Sequence, residues 1–311
     1  MSKRVLVIGG VNTDIGAAPE KTMVPGDSNP GHIMTSLGGV GCNIARNLRL
    51  LGVDTALLTV LGDDAFGTAA MAQCKALGLD MALSEALPGQ RSGTYLYVLN
   101  DCGDMVTAVN DMGIYRNMTP ALLEKKRDEI NRFDLVVLDT NPPRDTIEWL
   151  CDNCTVPIVA DPVSIAKASK LQGVMDRLYA IKPNRMEAEF LSGMTIRTEA
   201  DMEAAADALL AKGLRQICIS LGADGIFAKG VSGEKARFYC PRVEVRNATG
   251  GGDAMVAALC AGILRGDDLA QCAGNAICAG AFAATAQSTI HPDMSWENIA
   301  KLRESEEIQH E

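Results

Sequence analysis

Asp253 follows three consecutive glycines, Gly250-Gly251-Gly252, and precedes a small apolar run, Ala254-Met255-Val256-Ala257-Ala258-Leu259. Glycines leave peptide N–H groups unshielded, and the apolar run reads as a buried helix that begins there. Such a helix start attracts anions through its free donors and the positive end of its dipole. It suits a phosphate, or the charge that builds up while a phosphoryl group is in transit. A carboxylate directly after the glycines reaches the same point, which is where a base belongs if a hydroxyl is deprotonated as it attacks phosphorus. The same residues also describe a tight turn whose Asp caps the next helix.

Other polar residues sit where an open α/β sheet binds ligands. Val5-Leu-Val-Ile8 reads as a buried strand, and Asn12 and Asp14 alternate just past its end, so both point into the crevice. An amide beside a carboxylate suits vicinal hydroxyls; an Asx turn leaving the strand accounts for them equally. Gly38-Gly39-Val40-Gly41 opens an amphipathic helix with Asn43 in its first turn and Gly52 at its end. This lacks both the Gly-x-Gly-x-x-Gly order of a dinucleotide fingerprint and the Gly-Lys-Ser/Thr of a common phosphate loop. Its glycines let a sugar approach the backbone, with Asn43 in hydrogen-bonding reach. Asn184 and Glu187 share one face at another helix start, able to hold hydrated Mg2+ or simply to complement the dipole. Ser220-Leu-Gly222-Ala-Asp224-Gly225 is a strand-to-strand turn, either bordering a nucleotide site or plain. Asn275 lies in a small-residue helix that serves a core or one edge of an adenine pocket.

The elements that must position these residues follow an α/β rhythm. Strands are expected at Thr55–Val60, Leu135–Leu138, Ile158–Ala160, Tyr179–Ile181 and Gln216–Ser220, in parallel with helices on both faces. Two excursions fall outside that rhythm. Ala17 to Leu37 is rich in Pro and Gly, while Gly93–Asn100 and Asp104–Asp111 form a hairpin across Asp101-Cys-Gly103. Together they suggest a small sheet covering the crevice, able to exclude water as a kinase requires. The charged tail from Arg303 to Glu311 is expected to fray.

The 311 residues, 47% of them hydrophobic, suit one large domain with an appendage. A formal charge of -10 argues against nucleic acid as a partner. Ten scattered cysteines favour a reducing compartment, and Cys151-x-x-Cys154 lacks a second ligand pair for zinc. The first apolar run is too short for a membrane span, so a cytoplasmic protein is expected, with no membrane partner.

Taken in order, Gly10-x-Asn12-x-Asp14, Gly38-Gly39 with Asn43, Asn184-x-x-Glu187, Ser220-x-Gly222-x-Asp224-Gly225 and Thr249-Gly-Gly-Gly-Asp253 resemble the ribokinase-like (PfkB) carbohydrate and nucleoside kinases along essentially the whole chain. The resemblance implies a three-layer α/β/α domain over 1–311 with a mostly parallel sheet, and a β-sheet lid formed by about 16–37 and 91–113. It implies ATP-dependent phosphorylation of a primary hydroxyl, with Asp253 as base and the amides of Gly250, Gly251 and Gly252 as anion hole. Asn12, Asp14, Gly39 and Asn43 would hold the sugar; Lys182, Asn184, Ser220, Gly222, Gly225, Thr249 and Asn275 would line the ATP site, and Asn184 with Glu187 would place Mg2+. Many members bind a monovalent cation with an Asp where this chain has Asn247, so K+ is not carried over with the rest. The lid stretches, with Asp27-Ser-Asn-Pro-Gly31 and Asn110-Asp-Met112, look most like the members acting on pseudouridine, other nucleosides or ribose being the alternative. Ser28, Asn29, Thr94 and Asn110 are then the lid residues expected to contact ribose or uracil. Members often pair through their lids, which implies a homodimer. A dehydrogenase would need the dinucleotide fingerprint that is missing here.

Overall fold

The structure is a computed structural model that describes residues 3–305. Its strands are β1 (Arg4–Ile8), β2 (Asn12–Pro19), β3 (Gly31–Gly38), β4 (Asp54–Leu58), β5 (Val60–Gly62), β6 (Glu85–Leu87), β7 (Gly93–Leu99), β8 (Met105–Asp111), β9 (Leu135–Asp139), β10 (Ile158–Asp161), β11 (Ala180–Ile181), β12 (Gln216–Ser220), β13 (Ile226–Gly230) and β14 (Lys235–Phe238). The helices are α1 (Val40–Leu50), α2 (Ala65–Ala76), α3 (Pro120–Glu124), α4 (Arg127–Ile130), α5 (Arg144–Asn153), α6 (Ile165–Ala168), α7 (Arg185–Ser192), α8 (Glu199–Leu210), α9 (Gly251–Arg265), α10 (Leu269–Ala283) and α11 (Trp296–Ser305).

Among the described residues the main sheet has eight strands in the order β14-β13-β12-β11-β10-β9-β1-β4, and only β13 runs against the rest. Alternation along each strand sends side chains into two cores. Val5, Val7, Leu57, Leu135, Val137 and Val159 pack with α1, α9 and α10, while Leu6, Ile8, Leu58, Val136, Leu138 and Ile158 pack with α5 and α8. Strands buried on both faces read as continuous apolar runs, which is why the sequence marks them clearly.

A second sheet, in the order β3-β2-β7-β8, stands beyond the C-terminal end of β1. It begins at Asn12, earlier than expected, so Asn12 and Asp14 belong to a lid strand and not to a loop at the strand end. The expected strand to Val60 breaks at Thr59, where β4 gives way to the short β5. Arg303 is not frayed but lies in α11, and its guanidinium donates to Asn275; the remainder of the expected tail, 306–311, lies outside the described residues.

Leu6 is fully buried at the centre of β1. Leu6→Ala is expected to cost about 2–5 kcal/mol of unfolding free energy, read as a lower denaturation midpoint at unchanged slope.

Candidate active site

Most of the predicted residues gather along one crevice at the C-terminal ends of the parallel strands. Helices α7, α8 and α10 begin with side-chain caps, but α9 does not: its N-cap is Gly250, at φ 87, with no side-chain hydrogen bond. Among the described residues the amides of Gly250, Gly252 and Asp253 make no hydrogen bond, and that of Gly251 reaches only Ala248 O at 3.4 Å. Free donors at an uncapped helix start are what an anion requires. Lys182 adds a cation here: a methyl built on Gly252 would lie 3.6 Å from its Nζ. The same Nζ is 3.7 Å from Asp161 Oδ2, and both residues are buried.

From Asp253 a chain of contacts runs to the lid. Asn43 Nδ2 donates to Asp253 Oδ2 at 2.9 Å, and Asn43 N donates to Gly39 O at 2.8 Å. Gly39, at φ 101, comes so close to β1 that a Cβ would sit 2.4 Å from Gly10 O and 3.0 Å from Asn12 Oδ1. Asn12 Nδ2 in turn donates to Asp14 Oδ1 at 2.6 Å. Burial raises the Asp14 carboxyl, and the Asn12 bond opposes the shift. Asn12, Asp14, Gly39, Asn43 and Asp253 are therefore brought together as predicted.

Asn184 and Glu187 form a reciprocal capping box at the start of α7, each side chain accepting the other's backbone N–H at 2.9 Å. Among the described residues no group of three His, Cys, Asp or Glu could cage a metal. The charge balance nevertheless fits a cation: burial raises the carboxyls of Asp161 and Glu187, Asp161 raises Glu187 further, and Lys182 is the cation that offsets both. Glu187 with one oxygen outside the box, and Asn184 beside it, fit Mg2+ held through water. Ser220 pairs with Asn184 across the ends of β11 and β12, and the turn beyond runs from the exposed Gly222 to the buried Gly225. Thr249 lies exposed beside the glycines. Asn247 has its amide committed to Gln287 O and Thr249 N, leaving no carboxylate for a monovalent cation.

Not every predicted residue joins this constellation. Thr94 pairs with Thr13 and so faces away from Asn12 and Asp14, whose face carries Tyr95 and Asn110. Spacing gave Thr94 the right strand and the wrong face. Ser28 and Asn29 lie on the exposed 20–30 loop, where Asn29 bonds within the loop to Val24 and Asp27. Asn275 accepts from Arg303 Nη1 at 3.0 Å and approaches Asp267, and none of its bonds reaches the glycines. Three residues had no predicted role. Asp139 and Asp161 end β9 and β10, one residue past the expected strands, and Lys167 donates to Asn141 Oδ1 at 2.6 Å beside the sugar side of the crevice. The acid ending each apolar run was the signal available for the first two.

Asp253 is the most perturbed carboxyl of the site. Burial foremost, then the negative charge of Asp161, push it from 3.8 to about 8, against the Asn43 bond and Lys182. The folded protein thus favours protonated Asp253, so this group's contribution to stability is full below 3.8 and is lost as pH rises through about 8. Asn mimics the neutral acid and does not titrate. The melting temperature of Asp253→Asn relative to the unsubstituted protein is therefore expected to rise between pH 5 and pH 8.5; a pH-independent difference would contradict the shift.

Comparisons with known proteins place the chain in a family. The family model described as pfkB family carbohydrate kinase matches residues 2–296. Pseudouridine kinase of Escherichia coli (strain K12) is 34% identical over 304 residues, covering 97% of each chain. A solved carbohydrate kinase from Agrobacterium tumefaciens superposes with a TM-score of 0.86 at 28% identity, over 97% of each chain. The ribokinase of Arabidopsis thaliana, solved with ribose and ATP, shares the fold with a TM-score of 0.84 at 20% identity, over 97% of this chain and 99% of that one. The chain belongs to the PfkB family of carbohydrate kinases and is a phosphotransferase that acts on a hydroxyl group.

Proposed function

We propose that the protein transfers the terminal phosphoryl group of ATP to the 5′-hydroxyl of pseudouridine. The observation that carries the transfer is the placing of Asp253 between the uncapped start of α9 and the Asn43–Asn12–Asp14 chain. The family's ATP use and the named function of the 34% identical relative support the two substrates.

In this reading the nucleotide lies over the ends of β11 and β12, its terminal phosphate against the free amides of Gly252 and Asp253 and the Lys182 ammonium. Those donors stabilise charge that spreads over the phosphoryl oxygens in transit. The acceptor sugar lies opposite, its hydroxyls bonded by Asn12, Asp14 and Asn43. Asp253 takes the proton from the attacking hydroxyl. Mg2+, when bound near Asn184 and Glu187, would neutralise phosphate charge. Above the sugar, Tyr95, Asn110 and Ser36 share the lid face with Asp14, and offer donors and acceptors to a uracil edge.

ADP release measured with pseudouridine, uridine, adenosine, inosine, ribose and fructose 6-phosphate tests the reading. Pseudouridine is expected to give the highest kcat/KM, and Asp253→Asn to lower kcat by on the order of 10²–10⁴-fold with folding intact. Faster turnover of ribose or adenosine would remove the pseudouridine claim, and an active Asp253→Asn would remove the mechanism.

The outer lid face supports a homodimer. Ile33, Leu96 and Val109 are 70%, 41% and 66% exposed on the face opposite Asp14, an apolar patch that a second lid would cover. Light scattering is expected to show a dimer, and Val109→Lys a shift toward monomer; a monomeric unsubstituted protein at tens of micromolar would refute the pairing.

A further inference from the structure

Asp139 is a carboxylate with no accessible surface and, among the described residues, no cation in contact, at the last position of β9. Burying such a charge costs free energy unless donors replace its water. Four do. Oδ2 accepts from Gly10 N at 2.8 Å, Gly41 N at 2.9 Å and Asn141 Nδ2 at 2.8 Å; Oδ1 accepts from Asn141 N at 2.8 Å. Three of the four donors converge on one oxygen and the fourth reaches the other, so an amide in this place could satisfy the first three but would turn an N–H toward the Asn141 N–H.

The two glycine amides belong to the segments that present the proposed acceptor site. Gly10 lies two residues before Asn12, and Gly41 two residues before Asn43. The approach is tight: a Cβ on Gly9 would sit 2.5 Å from Asp139 Oδ2, and one on Gly41 2.8 Å from Gly9 Cα. The other polar groups of this backbone are held as well. Cys42 N donates to Gly10 O, Gly9 N to Leu58 O, and the buried Tyr115 hydroxyl to Val11 O at 2.7 Å. Among the described residues Asp139 is the one side chain that bonds both segments.

We infer that Asp139 is a positioning residue for the phosphoryl acceptor: by clamping the Gly10 and Gly41 amides it sets the separation between the Asn12–Asp14 pair and Asn43. It touches no substrate itself. The inference rests on the acceptor site proposed above, and it assigns no part to Asp139 at the nucleotide end, where Lys182, Asn184 and Ser220 lie on other strands. A misplacement of about 1 Å in such a site costs on the order of 100-fold.

The test is the KM split in Asp139→Ala, which removes the oxygen that both glycine amides share, assayed with whichever acceptor the unsubstituted protein turns over fastest. The acceptor KM is expected to rise about 10- to 100-fold while the KM for MgATP stays within about twofold. An unchanged acceptor KM, or both constants rising in parallel, would overturn the inference. Amide hydrogen exchange on the unsubstituted protein needs no variant to fold: Gly10 and Gly41 are expected among the slowly exchanging amides, and exchange at open-loop rates would overturn the clamp. An unsubstituted protein that phosphorylates no acceptor in the panel would refute the proposed function, leaving the exchange result to judge the clamp alone.

Discussion

The Asn43–Asp253 hydrogen bond joins two helices, α1 and α9, that both begin at a glycine with no side-chain cap. A helix start normally spends a Ser, Thr, Asp or Asn on its own orphan donors. Here neither does, and the freed donors face the crevice. At α1 the Gly41 amide goes to the buried Asp139 and those of Cys42 and Asn43 to Gly10 O and Gly39 O; those of Gly252 and Asp253 in α9 stay open. The rest of the arrangement depends on this economy, because a capped α9 would hold its own anion where the phosphate has to sit. Gly250 enforces it: its φ of 87 and the 2.2 Å distance from a hypothetical Cβ to Thr289 O admit no capping side chain.

How much of this was legible in the sequence differs by level. The parallel strands were, because burial on both faces makes them plain apolar runs. Their ends were not, since Asp139 and Asp161 break the pattern by which strands are recognised, although both continue the β ladder. The Asn184 and Glu187 pair was readable as a metal position or as complementing the helix dipole, and the structure forms a capping box while leaving an oxygen over. Sequence spacing cannot separate two uses of one side chain.

The lid shows a different limit. Hairpin strands 93–99 and 105–111 were evident from composition, but which face each residue presents depends on register with β2, a partner some 80 residues away. A slip of one residue exchanges the faces. Thr94 fell on the wrong side for that reason, whereas Asn110, opposite Tyr95, fell on the right one. Residues on the main sheet escape the ambiguity because a strand's C-terminal end, unlike its faces, is fixed by chain direction alone.

The charge on the crevice floor constrains how a nucleotide can arrive. Asp161 lies within electrostatic reach of Asp139, Glu187 and Asp253, and Asp253 is already raised to about 8 by burial and Asp161. Phosphates alone would add negative charge and hold its proton more tightly. A nucleotide can favour the ionised base only if its own charge is neutralised on arrival, in part by Lys182, which is already shared with Asp161. In the proposed reaction, removal of the acceptor's proton becomes favourable only in the loaded site, once that charge is neutralised. This coupling ties activation of the base to arrival of the nucleotide, because an enzyme without it keeps Asp253 largely protonated at neutral pH.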